Sequence, residues 1–254
     1  MLFRRWRRRK LLSTPWPPAW RTLAEDHIPL YRRLPEPERE RLHGLVQVFL
    51  DEKSFEGCGG QVVDDEVRLF VATQACLLLL GDDVGYLPRL HAVLIYPQSF
   101  RVQREYHHDD GLVTEAHEEF LGESWGSGAL VLSWEDIRHD TARPEEGYNV
   151  VLHEFAHQLD EETGAADGMP LLPDAELAAD WPRICSAEYD RLCRQVDRRR
   201  ETFLDPYAAE DPAEFFAVIT ETFFTIPVDF RRAHPDLYAL LARYYGTDPS
   251  RWSG

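Results

Sequence analysis

Apolar residues recur along the chain at two different spacings, which predicts a fold that contains both helices and strands. Residues 36–53 repeat apolar side chains at helical spacing, and a second helix is predicted over residues 64–80. This second helix is almost entirely apolar after Leu69, as is typical of a helix buried on most of its surface. The Gly-rich segment at residues 55–60 predicts a turn between the two helices.

Two short apolar runs, HAVLIY at residues 91–96 and GALVLS at residues 128–133, predict strands, and the polar stretch between them predicts a loop. Four further helices are predicted over residues 149–161, 180–199, 211–224 and 235–244. Asp180 is the predicted N-cap of its helix, with Pro182 in the first turn. Helices, a few strands and then more helices indicate an α+β fold that is mostly helical with a small sheet.

Charge is distributed unevenly between the first residues and the rest of the chain. The first ten residues contain five Arg and one Lys, which leaves 22 Lys and Arg against 45 Asp and Glu, a formal charge of −23. A body this acidic repels nucleic acid, so we expect no nucleic-acid partner. We interpret residues 1–20 as a basic, flexible arm and residues 21–254 as a single domain. Contact of the arm with anionic lipid or nucleic acid is the alternative interpretation.

Hydropathy and cysteine spacing bear on the location of the protein. No run approaches the roughly 18 apolar residues that span a bilayer, so we expect no membrane span. The segment after the basic residues is rich in Pro and Trp, unlike the apolar region of a secretion signal. The four cysteines contain no CxxC pair, which argues against a zinc ribbon or a dense disulfide framework. A reducing, cytoplasmic location follows as the expectation.

The segment from His153 to His157, HEFAH, carries the strongest chemical signal in the sequence. On a helix these two histidines project together from one face, and imidazole nitrogens bind zinc at about 2.0–2.1 Å. Glu154 lies beside them, where a peptidase places its general base. The apolar neighbours of the motif make unpartnered His and Glu side chains costly, so two satisfied core histidines are the less favoured alternative.

A catalytic zinc needs a third protein ligand, and no histidine follows at the HExxHxxGxxH spacing. A carboxylate from a later helix is therefore expected, and Glu214 and Glu221 share one helical face. Glu214 could instead complete a capping box that begins at Asp211, and its spacing alone leaves both interpretations open. Glu221 could be a paired core carboxylate or the partner of a ligand histidine, and its role stays open.

Several segments together resemble the Mlc titration factor A family of zinc peptidases, whose catalytic region is similar to that of anthrax lethal factor. The segments are FEGCGG at 55–60, ACLLLL at 75–80, GESW with LSW at 122–134, NVVLHEFAHQLD at 149–160, DG at 167–168 and PAEFFAVITETFF at 212–224. They cover roughly residues 50–230.

This resemblance implies a zincin-like fold with its small sheet beside the HExxH helix. It implies one zinc per chain held by His153, His157 and Glu214, with Glu154 as general base and Tyr207 as an active-site phenol. Aminopeptidase-type activity on small peptide substrates is implied as well. For Tyr207, an ordinary loop tyrosine at the edge of the core is the alternative.

Two further expectations concern partners. In zincin-like folds an edge strand pairs with the substrate backbone, and residues 128–133 are the candidate, with a plain structural strand as the alternative. The family name also implies a rival function, in which the chain sequesters a transcriptional repressor and its zinc is mainly structural. Glu154 favours the enzyme, because a structural zinc site has no need of a general base.

Overall fold

The computed structural model describes residues 2–81, 86–98, 100–107, 113–120, 122–125 and 128–252. The helices are α1 (Leu2–Leu12), α2 (Pro18–His27), α3 (Pro29–Arg33), α4 (Glu36–Glu52), α5 (Asp65–Leu77), α6 (Trp134–Ala142), α7 (Val150–Asp160), α8 (Ala175–Asp197), α9 (Pro212–Thr225), α10 (Pro227–Ala233) and α11 (Pro235–Tyr245). The strands are β1 (Ser54–Gly57), β2 (Ala92–Tyr96), β3 (Phe100–His107), β4 (Val113–Phe120), β5 (Gly122–Trp125) and β6 (Ala129–Ser133). In the part of the chain that is described, no helix is long and apolar enough to cross a membrane.

Four of the strands form one sheet in the order β1-β2-β6-β5, and β3 pairs with β4 in a separate antiparallel hairpin. In the larger sheet, β1, β2 and β6 run parallel, whereas β5 is antiparallel to β6. β6 therefore lies between two partners, and its backbone hydrogen-bonding groups are used on both sides. The prediction that residues 128–133 form a substrate-pairing edge strand is wrong, because β5 occupies that edge.

Most elements lie close to their predicted positions. The predicted helices over 36–53, 64–80, 149–161, 211–224 and 235–244 and both predicted strands are confirmed, with small differences at their ends. The predicted Gly-rich turn is confirmed in part, since β1 occupies its first residues and the turn itself lies at Gly59 and Gly60. The predicted loop between the strands is wrong, because it contains β3, β4 and β5, whose charged sequences lack a recognisable apolar run. Residues 99, 108–112, 121, 126 and 127 of that loop lie outside the described residues.

The start of α8 also differs from the prediction. Asp174, not Asp180, is the N-cap, and its side chain accepts a hydrogen bond from Leu177 N, so that Pro182 lies inside the helix. The extra turns are held by tertiary contacts, since the buried Trp181 packs with its ring edge towards Phe216. Burial of this side chain offsets the backbone hydrogen bond that proline removes.

α5 is the central helix of the core. The side chain of Asp64 accepts a hydrogen bond from Val67 N and begins the helix, and every residue from Leu69 to Leu80 is buried. The prediction of a core helix is confirmed. α5 and the sheet contact α7, which in turn packs along α9, so the HExxH helix lies between the core and a second buried helix.

The basic residues at the start of the chain adopt a defined form in this structure. Residues 2–12 of the segment expected to be a flexible arm form α1, which packs on α4. Arg4 and Arg8 both donate to the carboxylate of Glu52 at the end of α4, each with a nitrogen to oxygen distance of 2.6 Å. Acidic side chains at the end of α4 thus hold α1 in place. The sequence of α1 indicated its charge but not that it would pack on another helix.

Candidate metal centre

α7 carries the two histidines of the motif and is fixed at both ends. Asn149 caps it, with its side-chain oxygen accepting a hydrogen bond from Leu152 N at 3.0 Å. Leu152 and Phe155 are fully buried on the core side. His153 and His157 lie one turn apart on the face towards α9, and both are only slightly exposed. The helix thus presents two imidazoles to one point, as its sequence predicts.

α9 brings the third side chain to the same point. Asp211 caps this helix and accepts hydrogen bonds from Ala213 N and Glu214 N at 2.8 and 2.9 Å. The carboxylate of Glu214 extends towards the histidines, with Oε2 at 3.1 Å from His153 Nε2 and 3.5 Å from His157 Nε2. Asp211 therefore caps the helix, while Glu214 faces the histidines.

The three donor atoms are arranged as ligands of one cation would be. The two histidine Nε2 atoms lie 3.2 Å apart. Donors placed tetrahedrally around a zinc at about 2.0–2.1 Å lie about 3.3 Å from one another. Oε2 of Glu214 is buried and makes no hydrogen bond of suitable geometry. Two imidazole nitrogens and one carboxylate oxygen are a typical donor set for zinc, so the residues present fit this metal.

Glu221 determines how His153 faces the cluster. Its Oε1 lies 2.7 Å from His153 Nδ1, and its Oε2 accepts a hydrogen bond from Asn149 N at 2.6 Å. A histidine that donates from Nδ1 carries its lone pair on Nε2, which is the atom that faces His157 and Glu214. Burial disfavours the charged form of His153, but the carboxylates of Glu221 and Glu214 outweigh it and raise the pKa of this ring well above its ordinary value, so a cation that binds at Nε2 must displace a proton there. Glu221 is thus a buried carboxylate paired with His153 and with the start of α7.

Glu154 and Tyr207 complete the cluster. Glu154 is buried, and this burial raises the pKa of its carboxyl, against the opposing effect of the two histidines. The ring of Tyr207 lies 6.2 Å from that of His153, measured between centroids, and half of the side chain is exposed. Partial burial and the nearby carboxylate of Glu214 raise the pKa of this phenol, which stays a proton donor at neutral pH.

The sequence is similar to those of known proteins over nearly its whole length. The sequence model of the family described as glucose-regulated metallo-peptidase M90 matches residues 3–246. An uncharacterized protein, slr2042, from Synechocystis is 41% identical over 96% of this chain and 89% of its own length. Two proteins named Mlc titration factor A, from Escherichia fergusonii and Pectobacterium atrosepticum, are 35% and 33% identical, each over 94% of this chain and 93% of its own length. The chain belongs to the M90 metallopeptidase family.

Membership of the M90 family confirms the resemblance to Mlc titration factor A proteins that the sequence motifs indicate. It also supports a metal centre in this chain. Across the described residues, one group of His, Cys, Asp and Glu side chains is arranged to hold a metal ion, and it consists of His153, His157 and Glu214. These three side chains are the ligands that the sequence analysis expects.

The sequence motifs gave no sign of Asp205 and Tyr148, which link the turn of Tyr207 to α7 in this M90 protein. Asp205 accepts hydrogen bonds from Tyr207 N through Oδ1, at 2.7 Å, and from the Tyr148 hydroxyl through Oδ2, at 2.5 Å. The hydrogen bond to Asp205 raises the pKa of Tyr148 to about 12. Tyr148 immediately precedes the N-cap of α7, so Asp205 links the turn that carries Tyr207 to the start of the HExxH helix. No periodicity in either segment indicates this contact.

A second connection that the sequence did not predict joins the end of α7 to the start of α9. Asp160, the last residue of α7, accepts a hydrogen bond from Gly168 N at 2.8 Å, and Gly168 O accepts one from the Trp181 indole. Gly168 has a φ of +76°, and a Cβ atom there would lie 2.2 Å from Pro212 O. The DG segment thus passes directly against the first residue of the helix that carries Glu214.

Proposed function

We propose that this M90 family member is a zinc-dependent peptidase with one zinc per chain, held by His153, His157 and Glu214. The observation that carries the proposal is the convergence of three donor atoms within 3.5 Å of one another. Glu221 supports it, because its contact with His153 Nδ1 turns the lone pair on Nε2 towards the other two donors.

In the proposed mechanism, the protein residues hold and move protons around a bound peptide. When bound, zinc would lower the pKa of a water molecule towards about 7 and polarise the scissile carbonyl. Glu154 takes a proton from the attacking water and then passes it to the leaving amine. The raised pKa of Glu154 suits a base that must also act as an acid. Tyr207 donates from its hydroxyl to the developing oxyanion.

We further propose an aminopeptidase-type preference and a zincin-like architecture similar to anthrax lethal factor, both on the resemblance of the sequence motifs. The antiparallel edge strand β5 contacts α7 and replaces residues 128–133 as the candidate for pairing with the substrate backbone. Free-amino substrates and their N-acetylated forms distinguish an aminopeptidase from an endopeptidase, since only the former requires the amine.

The decisive experiment combines metal analysis with hydrolysis of aminoacyl p-nitroanilides. We expect one zinc per purified chain and measurable turnover. Glu154→Gln should lower kcat by about 10²–10⁴-fold while retaining zinc, because it removes the proton acceptor and leaves the ligands in place. Glu176→Gln, on an 83% exposed side chain of α8, is the control with the same chemical change. Full activity in the Glu154 variant would falsify this mechanism.

A second candidate function is binding of a transcriptional repressor, with zinc serving mainly structure. It is favoured by the name of two relatives, Mlc titration factor A, which describes those proteins. Binding of purified Mlc to the wild type and to the Glu154→Gln variant tests it. Equal binding by both proteins would show that the interaction does not depend on catalysis. A cytoplasmic location is also proposed, on the sequence alone.

A further inference from the structure

Helix α1 has an inner face that is occupied by contacts with α4. Arg4 and Arg8 donate to Glu52, and Arg7 pairs with Asp51. These contacts hold half of the basic side chains of the first ten residues against the acidic end of α4. They also orient the helix, because the residues on its opposite side must then face solvent.

The outer face of α1 consists of two aromatic and three basic side chains. Phe3 and Trp6 are 72% and 60% exposed, with their ring centroids 6.1 Å apart. Arg5, Arg9 and Lys10 are exposed beside them, and among the described residues no acidic partner is found for these three. Large aromatic residues exposed in a group are unusual on a soluble surface and indicate a contact with another apolar phase.

We propose that the outer face of α1 binds the surface of an anionic lipid bilayer. Aromatic rings at the level of the headgroups and flanking Arg and Lys side chains are the combination by which an amphipathic helix lies in a membrane interface. The remainder of the chain has a formal charge of −23, so it is repelled by the same surface. The protein therefore contacts the bilayer with α1 foremost and the acidic body turned away.

The exposed rings favour lipid over nucleic acid. A bilayer interface buries Phe3 and Trp6, whereas the phosphate backbone of a duplex offers no apolar phase for them. Nucleic acid is also bound through many phosphate contacts in a row, and the outer face offers three cations beside an acidic body. Three cations each strengthen lipid binding by about fivefold, which gives about a hundredfold preference for anionic over neutral bilayers.

Co-sedimentation of the full chain with vesicles tests the proposal. Vesicles of phosphatidylcholine alone are compared with vesicles that also contain phosphatidylglycerol, at low and high salt. We expect about hundredfold stronger binding to the anionic vesicles, reduced at high salt because the charges are screened. Equal binding to both kinds of vesicle, or no binding to either, overturns the proposal. So does a preference for DNA or RNA oligonucleotides at the same phosphate concentration.

Variants then assign the binding to the outer face. The triple change Arg5→Gln, Arg9→Gln and Lys10→Gln should abolish the preference for anionic vesicles, and Phe3→Ser with Trp6→Ser should weaken binding at any salt concentration. The control is Arg231→Gln, Arg232→Gln and Arg251→Gln, which removes three exposed charges elsewhere. Since all these side chains are exposed, thermal melting and zinc content should not change. Unchanged vesicle binding in both outer-face variants contradicts the assignment.

Discussion

The Nδ1 atom of His153 lies 2.7 Å from Oε1 of Glu221, which follows it by 68 positions on a different helix. This contact settles which nitrogen of the histidine faces the metal cluster. It also ties the cluster to the start of α7, because the other oxygen of the same carboxylate accepts the hydrogen bond of Asn149 N. One buried side chain therefore orients His153 and holds the start of the helix that carries it.

The first prediction concerns Glu221→Gln. A carboxylate accepts both hydrogen bonds, whereas an amide has one acceptor oxygen and must place a donor against either His153 or Asn149. We expect zinc affinity to fall by about 10–100-fold, the usual effect of losing such a partner of a ligand histidine. Competition with a chromogenic chelator measures this affinity. An affinity equal to that of the Glu176→Gln control would show that Glu221 does not orient the ligand.

The second prediction compares Tyr207 with Tyr148, since both residues donate a hydrogen bond to Asp205. Tyr207→Phe removes a proposed oxyanion donor and should lower kcat by about 10²–10³-fold. Tyr148→Phe removes only the hydrogen bond to Asp205, so we expect kcat to fall by less than in Tyr207→Phe. Zinc content should stay at the wild-type value in both variants. Steady-state kinetics with an aminoacyl p-nitroanilide provide the measurement, and a purely structural Tyr207 predicts loss of thermal stability without a selective loss of kcat.

The third prediction uses two glycines with similar backbones. Gly168 and Gly60 both have positive φ, at +76° and +86°, but a Cβ at Gly168 would meet Pro212 O at 2.2 Å, and a Cβ at Gly60 would meet nothing within 4 Å. Gly60→Ala therefore reports the backbone strain alone, about 1–2 kcal/mol. Gly168→Ala should cost more and should also weaken zinc binding, because Pro212 begins the helix that carries Glu214. Urea unfolding measures the loss of stability, and the chelator competition measures the loss of zinc affinity. Equal losses in the two variants would mean that Gly168→Ala causes no clash with Pro212.

The fourth prediction is a pH dependence of stability that arises from His43. This side chain is buried against Trp16 and lies 2.9 Å from the Tyr31 hydroxyl, and burial lowers its pKa from 6.5 to about 4. The unfolded chain therefore binds a proton on this residue at a higher pH than the folded chain. The stability that the neutral ring contributes is fully present above pH 6.5 and is lost as the pH falls towards 4, by up to about 3 kcal/mol.

Urea unfolding at pH 7 and pH 5 of wild type and His43→Gln measures this contribution. Both proteins are kept in the same chelator, so that protonation of the metal-site histidines affects them equally. We expect the free energy of unfolding of the wild type to fall more steeply between pH 7 and pH 5 than that of the variant. Parallel curves for the wild type and the variant would mean that His43 binds its proton at the same pH in the folded and the unfolded chain.

Local sequence patterns determined the helices that carry the three donor side chains. Helical periodicity and the spacing of His153 and His157 specify α7 within a few residues, because one-turn contacts depend on neighbours in the chain. The apolar run of α5 predicts its burial for the same reason. Where the sequence alone failed, as at the start of α8, a buried contact of Trp181 outweighed the local signal of Pro182.

Only the tertiary structure decided which residues that are distant in the sequence contact one another. Spacing on α9 leaves Glu214 and Glu221 equivalent, and the packing of α9 on α7 assigns one to the donor cluster and the other to His153 Nδ1. Strand order likewise moved the sheet edge from β6 to β5, since an apolar run does not reveal its neighbours. The reason is the same in each case. Capping and periodicity act within one or two turns, whereas ligand sets, strand order and the contacts of α1 are formed between segments that are far apart in the chain.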